Sequence, residues 1–353
     1  MSALLACLLC TAAGAATEPP SARGYDALRA ARRIASLGPR PAASTAERRA
    51  HGYVARVFRK AGLDVTVQRF PVPGRGRSRN VIGLLDGPRR CLKILMAHTD
   101  TTAPGPGAND NASGVGVIVA LAKRLRAIGP RCDVWLVATG AEERIYTGQP
   151  DHLGALALAR RARARGAKRR LRYALSLDEV GRDRPFWLRS PAPAPRRGVE
   201  RALLRAADRA GVNAVWAPDG SDSNSDHREF ELLGLPAAKL GVGAGGEPCR
   251  HLACDTPSRL DRHSLTLAQR LAEQALRGHQ CHPARRCAGF ASSDRHKASS
   301  RRWQADSHAS ERFASMMRRV SASLHLLVPL RTTVEVDRLR DLARGDLRRR
   351  RPG

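Results

Sequence analysis

The sequence predicts an α/β fold, three layers (αβα) around a mostly parallel, mixed central sheet. Three observations predict it. Apolar runs of strand length alternate with amphipathic stretches of helix length between residues 24 and 278. Two of the runs, Leu92 to Ala97 and Asp133 to Thr139, are apolar almost throughout, as strands covered on both faces require. The runs end on His or acidic residues, so polar chemistry gathers at the carboxyl ends of strands, where open α/β sheets bind ligands.

The chain of 353 residues is long enough to bury a sizeable core, and its 42% apolar content is ordinary for a folded protein. The net charge of +30, carried mainly by Arg, is not ordinary. An Ala/Arg/Gly/Pro-rich, Lys-poor composition follows from a GC-rich coding sequence, so a solvated basic surface is the first reading. An anionic partner is the second. With 4% aromatic residues, no aromatic interleaving and no recognisable nucleic-acid module, no specific nucleic-acid partner is expected.

Residues 1–17, MSALLACLLCTAAGAAT, are small and apolar, with an Ala-x-Ala-like exit at Ala13 to Ala16. They are too short to span a bilayer and read as a secretory signal, implying a secreted or periplasmic protein with no membrane span. Helical spacing runs from Tyr25 to Leu37 and stops at Gly38-Pro39-Arg40-Pro41. Ser44-Thr45-Ala46-Glu47 has the residues to cap a second helix reaching about Ala61. Strands are expected at Asp64 to Phe70, Asn80 to Leu85, Leu92 to Ala97, Asp133 to Thr139, Arg172 to Leu177, Phe186 to Leu188 and Ala237 to Leu240. Further helices are expected at Val115 to Ile128, His152 to Ala164, Val199 to Ala210 and Leu265 to Leu276. Asp219 to Phe230, DGSDSNSDHREF, is too polar to read as an element. The domain so defined covers residues 18–280. From 281 to 353 the chain is basic and poorly periodic and ends in Arg348-Arg349-Arg350-Arg351. It reads as a disordered extension before it reads as an anionic-surface anchor.

The polar residues at the strand ends carry the chemistry. The first of these apolar runs ends in His98-Thr99-Asp100, and the loop beyond it holds Asp110-Asn111-Ala112-Ser113-Gly114. The next buried run ends at Glu142-Glu143, the one after at Asp178, and the last delivers His251. Imidazole and carboxylate together are a first-row metal donor set that zinc takes readily. Singly, each motif has a duller reading: a surface histidine, a solvated helix start, an N-cap at Asp110. All of them fall on one sheet edge.

In this order, His98-x-Asp100, Asp110-Asn111, Glu142-Glu143, Asp178 and His251 resemble the M28 family of di-zinc aminopeptidases. The likeness covers nearly all of residues 24–278, including the GPRP joint and the HLACDTPSRLD ending. It implies the zinc-dependent exopeptidase (phosphorylase/hydrolase-like) fold, two Zn2+ ions per chain, and peptides with a free N-terminus as substrates. By that resemblance Asp110 bridges the ions, His98 and Asp178 complete one position, and Glu143 and His251 complete the other. Asp100 orients His98, and Glu142 is the general base. The chemistry agrees: zinc lowers the pKa of bound water to about 7, and two ions about 3.5–4 Å apart need a shared ligand.

Ser225-Asp226-His227 matches the family's SDH motif. Some relatives have a Tyr just before it that steadies the oxyanion; here the residues are Asp222-Ser223-Asn224, leaving His227, Asn224 or a zinc alone for that role. Arg144 and Tyr146 stand where small apolar residues are commoner, which bears on substrate access. Glutaminyl cyclases share the fold with a single zinc, and some relatives are inactive binding modules, so both remain alternatives.

Of the eight cysteines, Cys7 and Cys10 leave with any signal. Cys91 and Cys132 begin the runs ending in His98 and Glu142 and can bridge if those strands are neighbours. Cys249 and Cys254 flank His251 and can pin its loop. No CxxC pair occurs, which argues against a four-Cys zinc site.

Overall fold

Eight strands form one mixed sheet in the order β1-β2-β4-β3-β5-β8-β6-β7. The computed structural model describes residues 23–144, 152–182, 185–219, 224–243 and 246–277; the expected signal and the 281–353 extension lie outside them. The strands are β1 (Asp64–Val72), β2 (Gly76–Leu85), β3 (Arg89–His98), β4 (Cys132–Thr139), β5 (Leu171–Leu177), β6 (Phe186–Ser190), β7 (Ala214–Pro218) and β8 (Ala237–Gly241). The central four, β4, β3, β5 and β8, run parallel, while antiparallel pairs join β1 to β2, β2 to β4 and β8 to β6.

Alternation along the central strands feeds two cores. On β3, Leu95 and Ala97 face one layer while Ile94 and Met96 face the other. The first layer holds α1 (Arg23–Ala35), α2 (Thr45–Lys60), α3 (Gly114–Ile128), α6 (Glu200–Ala210) and α8 (Arg262–Leu276). The second holds α4 (Leu153–Ala164) and α7 (His227–Leu232), with the short α5 (Ala167–Arg170) beside them. This is the expected three-layer fold, and apolar side chains on both faces of β3 explain its apolar run, interrupted by Lys93 near its start. The chain leaves β3 for β4 on one side and returns to β5 on the other. The carboxyl end of β3 is therefore a topological switch point, the place where such sheets open a crevice.

Three elements depart from expectation, the first being α5, a single turn of four residues where no helix is expected. Within the polar stretch 219–230, α7 begins at His227, anchored on fully buried Phe230. One anchor in six residues leaves no period to read. The half-exposed edge strand β7 gave no signal either, because an edge strand needs only partial burial.

Two capping features do more than end helices. Ser44 caps α2 by accepting from the Glu47 amide, and Glu47 reaches back to the Ala43 amide at 2.8 Å. The same carboxylate is buried and also accepts from Ser78 Oγ at 2.7 Å and from the Ala141 amide at 3.2 Å. Arg40 of the GPRP turn is wholly buried, and its guanidinium donates to the carbonyls of Thr99 (2.8 Å), Gly38 (2.9 Å), Pro106 (2.6 Å) and Gly107 (3.1 Å). It thereby fixes the path of the loop between His98 and Asp110. Burial lowers its pKa to about 10, so it keeps its charge at neutral pH.

Cys91 and Cys132, at the starts of neighbouring β3 and β4, form a disulfide, as do Cys249 and Cys254. Closing the 41-residue separation between the first pair contributes about 4 kcal/mol in the chain-entropy account. Arg40→Met strips four carbonyls, two of them buried, of their donor at once. It is expected to lower the unfolding free energy by about 3–5 kcal/mol in guanidinium titrations, and a wild-type midpoint would contradict the role given to Arg40.

Candidate metal centre

Four parallel strands deliver the site from one edge. His98 is the last residue of β3, Glu142 and Glu143 follow β4, Asp178 follows β5, and the loop after β8 carries His251. Asp110 lies in a wide helical turn, Ala108–Ser113, that leads into α3, and its peptide bond to Asn111 is cis.

The turn is stitched to the exit of β5 by its own polar side chains. Asn111 Nδ2 donates to the Leu177 carbonyl at 2.9 Å, and the Val180 and Gly181 amides donate to Ser113 Oγ (3.1 Å) and Asn109 Oδ1 (2.8 Å). Gly114 is required there, because a Cβ would stand 2.1 Å from the Leu177 oxygen. Asp110-Asn111-Ala112-Ser113-Gly114 is thus a clasp between two ligand-bearing loops, beyond any capping duty.

The six expected residues converge. His98 Nε2 lies 3.3 Å from Asp110 Oδ1 and 3.5 Å from Asp178 Oδ1. His251 Nε2 lies 3.2 Å from Asp110 Oδ2 and 3.0 Å from Glu143 Oε2. Two triads, His98–Asp110–Asp178 and Asp110–Glu143–His251, therefore share Asp110, one through each carboxylate oxygen. Glu142 is buried next to them, its ligand atom within 4.8 Å of His98 and Glu143. Asp100 reaches His98 through its main-chain carbonyl, 3.1 Å from Nδ1, while its carboxylate stands 3.8 Å off. That carboxylate instead accepts from the amides of Glu142 (2.9 Å) and Glu143 (3.1 Å).

Electrostatics follow from packing so many acids together. Burial opposes charge on His98, yet Glu142, Asp110 and Asp178 hold it well above the usual imidazole range. Hydrogen bonds that the His251 ring donates to Asp110 and Glu143 raise its pKa to about 10. Burial pushes Glu142 up to about 7, and burial with the Asp110 charge pushes Glu143 to about 8. Against its burial, Lys239, 2.8 Å from Oδ2, holds Asp178 well below the carboxylate range. Glu143 Oε1 and Asp178 Oδ1 are buried and accept no hydrogen bond among the described residues, as suits oxygens that face a cation. The donor set of imidazoles and carboxylates fits zinc.

The possible oxyanion contacts separate. Asn224 lines the cavity, of about 150 Å3, together with His98, Glu142 and His251. His227 is not among the lining residues; buried, it places Nε2 2.6 Å from Asp219 Oδ2. Arg144 lines the cavity, and Tyr146, Asp222 and Ser223 lie outside the described residues.

Three residues escaped the sequence reading. Fully buried His152 places Nε2 3.4 Å from Glu142 Oε1 and Nδ1 3.3 Å from Glu229 Oε1, so it backs the prospective base. Asp255 accepts from the amides of Asn109 (2.8 Å) and Asp110 (2.9 Å), holding the bridging carboxylate from behind. Lys239 braces Asp178. Asp255 falls inside the HLACDTPSRLD segment, which was the available signal; His152 and Lys239 fall within an expected helix and an expected strand, with nothing to distinguish them there.

Residues 80–276 match the model of Peptidase family M28, and the chain belongs to that family. It is 32% identical to the uncharacterized protein YfbL of Escherichia coli K12, over 60% of this chain and 74% of that one. It is 26% identical to leupeptin-inactivating enzyme 1 of Streptomyces exfoliatus over 64% of this chain, spanning 57% of that protein's length. Among solved structures, a zinc aminopeptidase from Bacillus subtilis superposes with a TM-score of 0.64 at 18% identity, covering 72% of this chain and 94% of that one. Glutaminyl cyclases superpose comparably, so the fold is common to both.

Asp255→Ala leaves two buried amides without an acceptor behind Asp110. Zinc affinity, read by competition with a chromogenic chelator, is expected to fall about 10–100-fold, as for other residues that orient ligands. Unchanged affinity would mean that the loop keeps its shape unaided.

Proposed function

We propose that the chain is a zinc-dependent aminopeptidase, exported from the cell, that releases N-terminal residues from peptides with two ions per chain. The observation that carries this reading is the sharing of Asp110 by two otherwise separate His–carboxylate triads. A carboxylate offering one oxygen to each of two clusters suits a bridge between cations. In this reading His98 and Asp178 hold one ion, and Glu143 and His251 the other. The membership of Peptidase family M28 supports hydrolysis of peptide bonds.

Bound zinc supplies Lewis acidity and a water acidified to a pKa of about 7. The protein supplies the rest. Glu142, raised to about 7 by burial, accepts a proton from the attacking water and returns it to the departing amine. His152, between Glu142 and Glu229, keeps the base aimed. The amides of Glu142 and Glu143, tied to Asp100, hold the backbone from which one glutamate serves water and the other metal. Asn224 on the cavity wall is the side chain available to a developing oxyanion. Two disulfides support an oxidising compartment. No described helix is long and apolar enough to cross a membrane.

The deciding measurement is zinc content by mass spectrometry, paired with amine release from a panel of aminoacyl-nitroanilides. Two zincs and chelator-sensitive release are expected. One zinc with cyclisation of N-terminal Gln peptides, and no release, would replace the reading with a glutaminyl cyclase.

Glu142→Gln is expected to keep both zincs and lose about 10²–10⁴-fold in kcat; loss of metal instead would exchange the roles of Glu142 and Glu143. Asp110→Asn is expected to weaken both ions together, and a variant that still holds two tightly would refute the bridge.

A further inference from the structure

The strongest feature that the metal centre leaves unused lies at the opposite edge of the sheet. Where β3, β4 and β5 begin, a cavity of about 620 Å3 opens beside α6 and the end of α8. Eight of its fifteen lining residues are arginines, a ninth is Lys93, and none is acidic. Arg90 and Arg131 flank the Cys91–Cys132 disulfide, α6 contributes Arg205 and Arg209, and Arg277 closes the far side. Parallel strands of seven to ten residues separate this edge from His98 and Asp178 by roughly 25 Å.

The cavity has a built floor. Lys93 is buried and donates to the carbonyls of Ala275 (2.6 Å), Leu276 (3.1 Å) and Arg277 (3.3 Å), capping α8, and the Tyr173 hydroxyl donates to Ala275 as well. The guanidiniums above it are exposed at Arg90, Arg205, Arg209 and Arg277. Among the described residues none of those four pairs with a carboxylate, although other arginines nearby do: Arg170 takes Asp133 and Arg124 takes Glu273. Burial, with Arg209 and Arg172 close by, brings Lys93 down to about 8, so these cations feel one another. Arg205 and Arg209 stand four residues apart on α6, a like-charge spacing that works against the helix. A composition bias accounts for many arginines. It does not account for nine cations around one concavity with no acid among them.

The chemistry selects the ligand. Guanidinium forks match phosphate oxygens two at a time, and several forks on one hollow suit a compact group with several charges. The volume lies within the roughly 300–1,000 Å3 of small-ligand sites. The single lining aromatic, Tyr173, is buried with its hydroxyl engaged and offers no face to a nucleic-acid base. We propose that this cavity is a binding site for a compact, multiply charged phosphate group, gripped between the α6 arginines and those at the start of the sheet.

The test uses the full chain and inorganic tripolyphosphate in isothermal titration, with co-sedimentation on phosphatidylglycerol vesicles as a second arm. Arg205→Glu with Arg209→Glu is compared with Arg160→Glu plus Arg163→Glu, which changes the net charge equally on the exposed face of α4. Arg205→Gln with Arg209→Gln guards against a folding artefact, checked by the thermal midpoint. Saturable binding that falls at least about tenfold in both cavity variants and less than about twofold in the control is expected from the loss of charge-assisted contacts. If vesicle binding falls in parallel, the phosphate is a lipid headgroup; if only the titration is lost, it is a soluble phosphate. No saturable binding, an equal loss in the control, or wild-type affinity in the cavity variants would overturn the proposal. So would a DNA duplex that binds more tightly and is insensitive to the cavity variants.

Discussion

Buried carboxylates that accept hydrogen bonds from main-chain amides hold this site together. Asp100 takes the amides of Glu142 and Glu143, Asp255 those of Asn109 and Asp110, and Glu47 that of Ala141. Asp110, Glu142 and Glu143 thus sit on backbone gripped by another acid behind it, while the Asp178 amide bonds to the Leu240 carbonyl of the neighbouring strand. A charge-assisted bond to an amide is stronger and shorter than a neutral one, and an amide abandoned in the interior is costly. The loops therefore have one favourable path each. They hold together carboxylates that mutual repulsion would otherwise spread apart.

The sheet explains why these acids meet at all. The central strands β4, β3, β5 and β8 run the same way, so residues far apart in sequence end at one edge. The reversal of winding beside β3 opens space there, and Arg40 fills the base of that opening with a guanidinium that satisfies four loop carbonyls. Cations then balance the periphery: Lys239 holds Asp178, and Arg250 holds Glu179. Where the two triads meet, the interior is left acidic.

Much of this was legible in the chain. The apolar run ending at His98 fixed a buried strand and the place of its last residue, and the acids ending the next two runs fell on the same edge by topology alone. What sequence hides is contact between segments without periodic signature. His152 becomes notable only when α4 starts beside Glu142, and Asp255 only when its loop folds under Asp110. His227 shows the reverse: it sits in a recognisable triplet, yet its ring turns to Asp219. Glu47 has a readable capping role and a second, unreadable one on Ala141, since the spacing of a capping box says nothing about which strand lies above it. The short α7 and edge strand β7 bury too few residues to print a period.

The bond between Cys91 and Cys132 gives the strand–helix–strand unit β3–α3–β4 a further property. It turns that unit into a covalent ring that encloses His98, Asp100 and Asp110. The exposed turn at Ala103 and Pro104 is part of the ring. A foreign protease that cut the chain there would open a loop without freeing a piece. The severed ends would stay tethered through the sulfur bridge, and three of the residues that build the centre would remain attached on either side of the nick.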